Sequence, residues 1–272
     1  MSVKALVVGS PINHSLSPLI HNTAYELLNF NGEYSRAEVK SGGLRAFLDS
    51  DQASEISAIS VTMPLKEEAH ELANTLDQFS TITQSTNTLI RNPMGWSGFN
   101  TDVVGIETLL EDLGLHDSGN QTVSILGAGA TARSALAAVS GFANRVVYRR
   151  SPSRDAQLEN VDSGVQIHSW ESLRDGLYAD LLISTVPSNA IDFNLETMEI
   201  DSLLDAIYSP WVPPLSQYFQ KRGIPVVTGA DLLLAQALEQ IHLLTGLEFD
   251  PRRLAEAIRP TLIEAINRPQ AH

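Results

Sequence analysis

The chain has 272 residues, 43% of them hydrophobic and 18% charged, which is enough for two modest domains or one large one with a real core. Its formal net charge of −14 argues against nucleic acid and anionic membrane surfaces as partners, because both demand basic patches, and any anionic ligand must be captured by local groups. With no cysteine there is no disulfide framework, thiolate metal site or cysteine nucleophile.

The first residues, MSVKALVVGSPINHS, read as a strand over 3–8 ending in a Gly9-Ser10-Pro11 turn rather than as a signal peptide. No apolar run reaches membrane-spanning length, so the expectation is a soluble cytoplasmic protein. Ser17 before Pro18 predicts a helix start, with serine as the cap and Ile20, Ala24 and Leu27/Leu28 as the apolar stripe. Ser15 and Ser17 beside that N-terminus form a small anion site, or they only cap the helix. Residues 33–39 alternate like a strand, and 42–50 read as a short helix. Ile56, Ala58, Ile59 and Val61 predict a buried strand that ends in Thr62 and is stopped at Pro64. Lys66 then opens a charged helical run, KEEAHELA. This βαβαβα order predicts a parallel sheet, and ligands collect outside the carboxyl ends of such strands. Taken alone, Lys66 would be an ordinary solvated lysine. Thr88–Arg91 and Trp96–Phe99 flank the turn signal at 92–95 and predict a hairpin, with Asn87 at one end and Asn100, Thr101 and Asp102 at the other. A helix follows from Thr101 or Asp102 to Gly114, where the acid at its first turn suits the helix dipole.

The polar stretch 116–121 reads as a domain boundary. After it, a strand at 123–126, a turn at 127–132 and a helix at 134–139 place Gly127, Ala128, Gly129, Ala130, Thr131 and Ala132 in the G-x-G-x-x-A context of a dinucleotide loop. The next strand, 145–148, runs into Arg149, Arg150 and Arg154, with Asp155 only after them. NAD sites place an acid there and NADP sites an arginine, so the loop favours NADP. Further strands are predicted at 179–186, 203–208 and 225–227, with a helix near 214–222. A strong helix covers 229–246, with Gln236 off its apolar stripe and so directed to a cleft. A last helix covers 251–267, with a kink expected at Pro260. The scattered histidines lack zinc spacing, and no G-x-S-x-G elbow occurs, so neither a metal site nor a serine hydrolase is expected.

The segments SPINHSLSPLIHN, SVTMPLK, STNT, GFNTD, GAGATA and GADLLLAQ, in this order and spacing, resemble shikimate dehydrogenase from about residue 6 to 246. The resemblance implies a two-domain α/β protein. Its N-terminal α/β substrate domain (1–101 with 238–272) would be interrupted by an inserted NADP-binding Rossmann domain (102–237). It also implies NADP-dependent reduction of 3-dehydroshikimate to shikimate by a monomer or homodimer. Ser15 and Ser17 resemble the pair that holds the substrate carboxylate. Thr62, Asn87, Asp102 and Gln236 resemble the ring-hydroxyl ligands, and Tyr208 a tyrosine near the substrate. Lys66 and Asp102 resemble the catalytic pair, and Thr185, Val186, Ala206 and Gly229 the residues that flank the nicotinamide. Three departures from the family pattern stand out: Ala130-Thr131 in the glycine loop, Ser85-Thr86 before Asn87, and Tyr148 and Arg150 around Arg149. Quinate or aminoshikimate dehydrogenase, and a non-catalytic NADP or shikimate sensor, remain as alternatives.

Overall fold

A computed structural model describes residues 3–116, 119–208 and 212–267. Of the segments singled out above, 117–118 of the polar stretch lie outside the described residues. The chain divides into two compact units, Met1–Thr101 with Leu233–His272, and Asp102–Leu232. The division on the return falls at Leu233, inside a helix.

The first unit runs β1 (Val3–Gly9), α1 (Ser17–Leu27), β2 (Gly32–Glu38), α2 (Leu44–Leu48), α3 (Asp51–Ser54), β3 (Ala58–Val61), α4 (Lys66–Leu72), β4 (Thr75–Leu76), α5 (Gln78–Thr83), β5 (Thr88–Asn92) and β6 (Gly95–Phe99). Its sheet has the order β2-β1-β3-β5-β6-β4. Leu6 and Val8 of β1, Ile59 and Val61 of β3, Leu65 and Leu89 form the buried core of one face. Burying side chains of this kind is worth about 1.5–3 kcal/mol each. The strands of the βαβαβα run are parallel as expected, β1 pairing with β2 and β3, and the predicted hairpin follows: β5 is antiparallel to both β3 and β6, so the sheet as a whole is mixed. The cause is β4, which runs parallel to β6 and brings the chain to the carboxyl end of the sheet, so β5 has to run the other way. Ser17 is the first helical residue of α1 and makes no capping bond; the cap position falls on Leu16.

The second unit contains α6 (Thr101–Asp112, beginning on the last residue of the first unit), β7 (Thr122–Leu126), α7 (Ala130–Ala138), β8 (Asn144–Arg149), α8 (Asp155–Val161), β9 (Gln166–Ser169), β10 (Leu177–Ser184), β11 (Met198–Asp205), α9 (Pro214–Gln220) and β12 (Val226–Thr228). All its strand pairings are parallel, in the order β12-β11-β10-β7-β8-β9. This is the doubly wound arrangement, and its strand order reverses between β7 and β10. The strands expected at 179–186 and 203–208 end at Ser184 and Asp205, so Thr185, Val186 and Tyr208 lie in the loops that follow. α10 (Gly229–Thr245) carries the chain back, and α11 (Pro251–Asn267) continues through Pro260 and packs on α1. Among the described residues no helix is long and apolar enough to cross a membrane.

Candidate functional site

In the first unit, backbone hydrogen bonds bring the predicted residues to one end of the sheet. Thr62 N–H donates to Val8 O (2.9 Å), Val61 N–H to Asn87 O (2.7 Å) and Asn87 N–H to Phe99 O (3.1 Å), so the ends of β1, β3 and β6 surround Asn87. Thr86 N–H donates to Lys66 O (3.0 Å), which fixes the first turn of α4 beside the same segment. Thr62 and Lys66 are half-buried, whereas Asn87 is buried. On the strand-end side of α1, Ser15 is half-buried and Ser17 buried, with the Ser17 N–H donating weakly to Ser15 Oγ (3.4 Å). Leu16 supplies no side-chain cap, so the helix end combines backbone N–H groups with two hydroxyls, a setting that suits a carboxylate.

Asn87 is held from several directions. Its Oδ1 accepts from Thr101 N (2.9 Å) and Thr88 Oγ1 (2.9 Å), and its Nδ2 donates to Thr101 Oγ1 (2.9 Å) and Gln236 Oε1 (3.4 Å). Gln236 Nε2 donates to Leu233 O (2.7 Å). Gln236 is only 8% exposed. α10 is buried on more than one face, since Gln240, one turn on, is 3% exposed.

In the second unit, Gly127, Ala128, Gly129, Arg149, Arg150, Arg154 and Val186 line one cleft of about 310 Å³ together with Trp170. It lies at the carboxyl ends of β7 and β8, beside the reversal of strand order, where mononucleotides bind in such sheets. Gly127 has φ +110°, and a Cβ there would stand 2.5 Å from Thr185 Oγ1, so only glycine fits the turn. Thr185 is fixed in turn, donating to Leu126 O (2.7 Å). Ala130 and Thr131 open α7 directly after the loop, but do not themselves line the cleft. Arg154 Nη1 lies 4.0 Å from the position of a Gly129 Cβ. Arg150 donates to Ala190 O and lies 5.1 Å above the Trp170 ring. The sequence reading left Asp155 out of this loop. It folds back onto Arg149 in a two-point ion pair (2.7 and 2.8 Å), and the guanidinium lowers the carboxyl pKa. The residues present fit an anionic dinucleotide: a backbone cradle that a Cβ would fill, a helix N-terminus and three arginines.

Of the remaining predicted residues, Gly229 and Ala206 meet at the end of β11, where a Gly229 Cβ would be 2.5 Å from Ala206 O. Neither they nor Thr185 line the arginine cleft. Tyr208 is half-buried, and burial raises its phenol pKa. Asp102 is buried in the first turn of α6 and follows Thr101, the residue bonded to Asn87. Among the described residues no group of three or more His, Asp or Glu could hold a metal.

Residues 7–89 match the family profile described as the shikimate dehydrogenase substrate binding domain. Shikimate dehydrogenase (NADP(+)) of Bartonella henselae is 32% identical, over 96% of this chain and 93% of the relative. The chain belongs to the shikimate dehydrogenase family. Among solved structures, that of Mycobacterium tuberculosis shikimate dehydrogenase is 31% identical with a TM-score of 0.82, covering 95% of this chain and 99% of that one. The Thermus thermophilus shikimate 5-dehydrogenase solved with NADP(H) and shikimate is 27% identical, has a TM-score of 0.81 and covers 95% and 99%.

For this member of the shikimate dehydrogenase family, sequence reading missed three groups around the sites. Trp170 walls the arginine cleft and donates to Asp192 Oδ1 (2.8 Å), and nothing in its local sequence marks it. Asp155 was visible but was read as lying past the loop. Gln240 was hidden on the polar side of a helix whose polar side is also buried.

Proposed function

We propose that the chain catalyses the NADP-dependent, reversible reduction of 3-dehydroshikimate to shikimate, in the cytoplasm, as a monomer or homodimer. The observation that supports it most is the match along 96% of the chain to a relative named shikimate dehydrogenase (NADP(+)). In this reading the first unit is the substrate domain and Asp102–Leu232 the NADP domain. Gly127 to Thr131 would receive the pyrophosphate, and Arg149, Arg150 and Arg154 the adenosine phosphate. Thr185, Val186, Ala206 and Gly229 would flank the nicotinamide. Bound NADPH supplies the hydride that reduces the ketone carbon. Ser15, Ser17 and the α1 N-terminus hold the substrate carboxylate. Thr62, Asn87, Asp102, Gln236 and Tyr208 orient the ring through its hydroxyls. Lys66 donates a proton from Nζ to the ketone oxygen as negative charge develops there, and in the reverse direction accepts it. Asp102 orients both the lysine and the ring hydroxyl.

Steady-state assays with shikimate or quinate, each with NADP or NAD, test this reading. Shikimate with NADP should have the highest kcat/KM of the four pairs. Quinate with NAD as the best pair would replace the assignment, and tight binding of both ligands without turnover would favour a sensor.

A further inference from the structure

A chain of buried side chains leads from β2 to Asn87, and two of its contacts are to backbone groups that cannot exchange donor for acceptor. Asn87 O can only accept, so the Gln240 atom 3.4 Å from it is Nε2, which also donates to Thr88 Oγ1 (2.9 Å). Gln240 Oε1 therefore faces the other way and accepts from Ser60 Oγ (2.7 Å). With the Ser60 proton committed, its oxygen accepts from Tyr34 OH (2.6 Å). His21 Nε2, 3.3 Å from Gln240 Oε1, must carry the ring proton. At the far end Thr101 N–H can only donate, so the Asn87 atom that meets it is Oδ1. Thr88 takes a proton from Gln240 and gives its own to Asn87 Oδ1 (2.9 Å). Every proton in the series points the same way, from Tyr34 through Ser60, Gln240 and Thr88 to Asn87. All five residues are buried, Gln240 at 3% exposure, so water cannot scramble the order. The start of the chain is clamped as well. Asn22 Nδ2 donates to Tyr34 O and Tyr34 N–H to Asn22 Oδ1, both at 2.9 Å, while His21 stacks on the Tyr34 ring at 3.9 Å.

We infer that Gln240 is a positioning residue: through Thr88, and together with the Thr101 N–H, it holds the Asn87 amide with Oδ1 turned inward, so that the Nδ2 edge presents only N–H donors and a substrate oxygen there takes the place of the longer of its two contacts, Gln236 Oε1 at 3.4 Å. The inference rests on Asn87 being a substrate ligand.

The experiment compares the parent chain with Gln240→Met and Gln240→Glu. Gln240→Met keeps the volume and removes both ends of the relay. Its KM for shikimate should rise about tenfold or more, as for one lost hydrogen bond, with kcat and the KM for NADP little changed. Gln240→Glu has a single O–H, and can donate to Thr88 Oγ1 only when protonated. Its KM relative to the parent should be high at pH 9 and fall several-fold by pH 6. A parental KM in Gln240→Met, or a Gln240→Glu to parent KM ratio that is flat in pH, would overturn the inference. Were the parent itself inactive with shikimate, the functional reading would fail but the positioning claim would still be read by NMR. The Asn87 side-chain NH2 pair, assigned by its loss in Asn87→Ser, should exchange at least about tenfold faster in Gln240→Met than in the parent. Equal exchange rates would sink it.

Discussion

Lys66 owes its position to the backbone around it. It is the first residue of α4, its carbonyl accepts from Thr86 N–H, and its side chain is half-buried. Nothing in KEEAHELA separates it from a surface lysine; the sheet end does. Lys66→Ala should lower kcat by about two to four orders of magnitude with a smaller change in KM, as for a lost proton donor. Near-parental turnover would remove it from that role. Asp205 poses a different question. It sits at the end of β11, 1% exposed, accepting from Ser216 Oγ (2.9 Å) and Ile207 N–H (3.3 Å). Burial pushes its carboxyl up from 3.8 to about 6. A carboxyl with a raised folded pKa stabilises most when protonated. Its contribution is complete below pH 3.8 and is lost as the pH rises through about 6. The difference corresponds to a loss of ~3 kcal/mol at most. Denaturant unfolding from pH 4 to 7 should show Asp205→Asn losing less stability over that interval than the parent. Parallel curves would mean that another group carries the pH dependence.

At the scale of elements, the β7–loop–α7 unit was legible because its requirements are local. A strand, a glycine at φ +110° and a helix start follow one another within a dozen residues, and each has a composition signal. Gly127→Ala would add a Cβ 2.5 Å from Thr185 Oγ1 in a backbone region that alanine avoids. The cost should be about 1–3 kcal/mol of stability, together with a marked loss of NADP affinity, readable by melting with and without cofactor. The arginine loop was legible only in part. Its positive charge was plain, but the Arg149–Asp155 pair depends on how the turn between them folds. Arg149→Ala with Arg150→Ala should weaken NADP far more than NAD; equal losses would show that these arginines do not read the 2′-phosphate. The direction of β5 could not be read, because it is set by β4, a strand of two residues with no periodicity to detect. Gln240 was obscured for another reason. The stripe argument assumes one buried face, and α10 buries polar residues on a second.

For the whole molecule the governing tension is between a net charge of −14 and ligands that are themselves anions. At physiological ionic strength charges beyond about 8 Å are largely screened, so the groups that touch a ligand outweigh the rest of the surface. The fold meets this need separately in its two units: hydroxyls and a helix N-terminus with Lys66 in one, and three arginines around a glycine loop in the other. If each unit holds its own ligand, protection should be local. A ligand at a hundred times its Kd stabilises the state it binds by about 2.7 kcal/mol, which slows exchange about a hundredfold where opening requires release. Hydrogen exchange with NADP alone should therefore slow 125–131, 149–154 and 184–190, and leave 15–17, 60–66 and 86–88 at their free rates. Shikimate alone should slow the second set and leave the first. Protection of the arginine cleft by shikimate, with no change around Asn87 and Lys66, would show that the substrate has been assigned to the wrong unit.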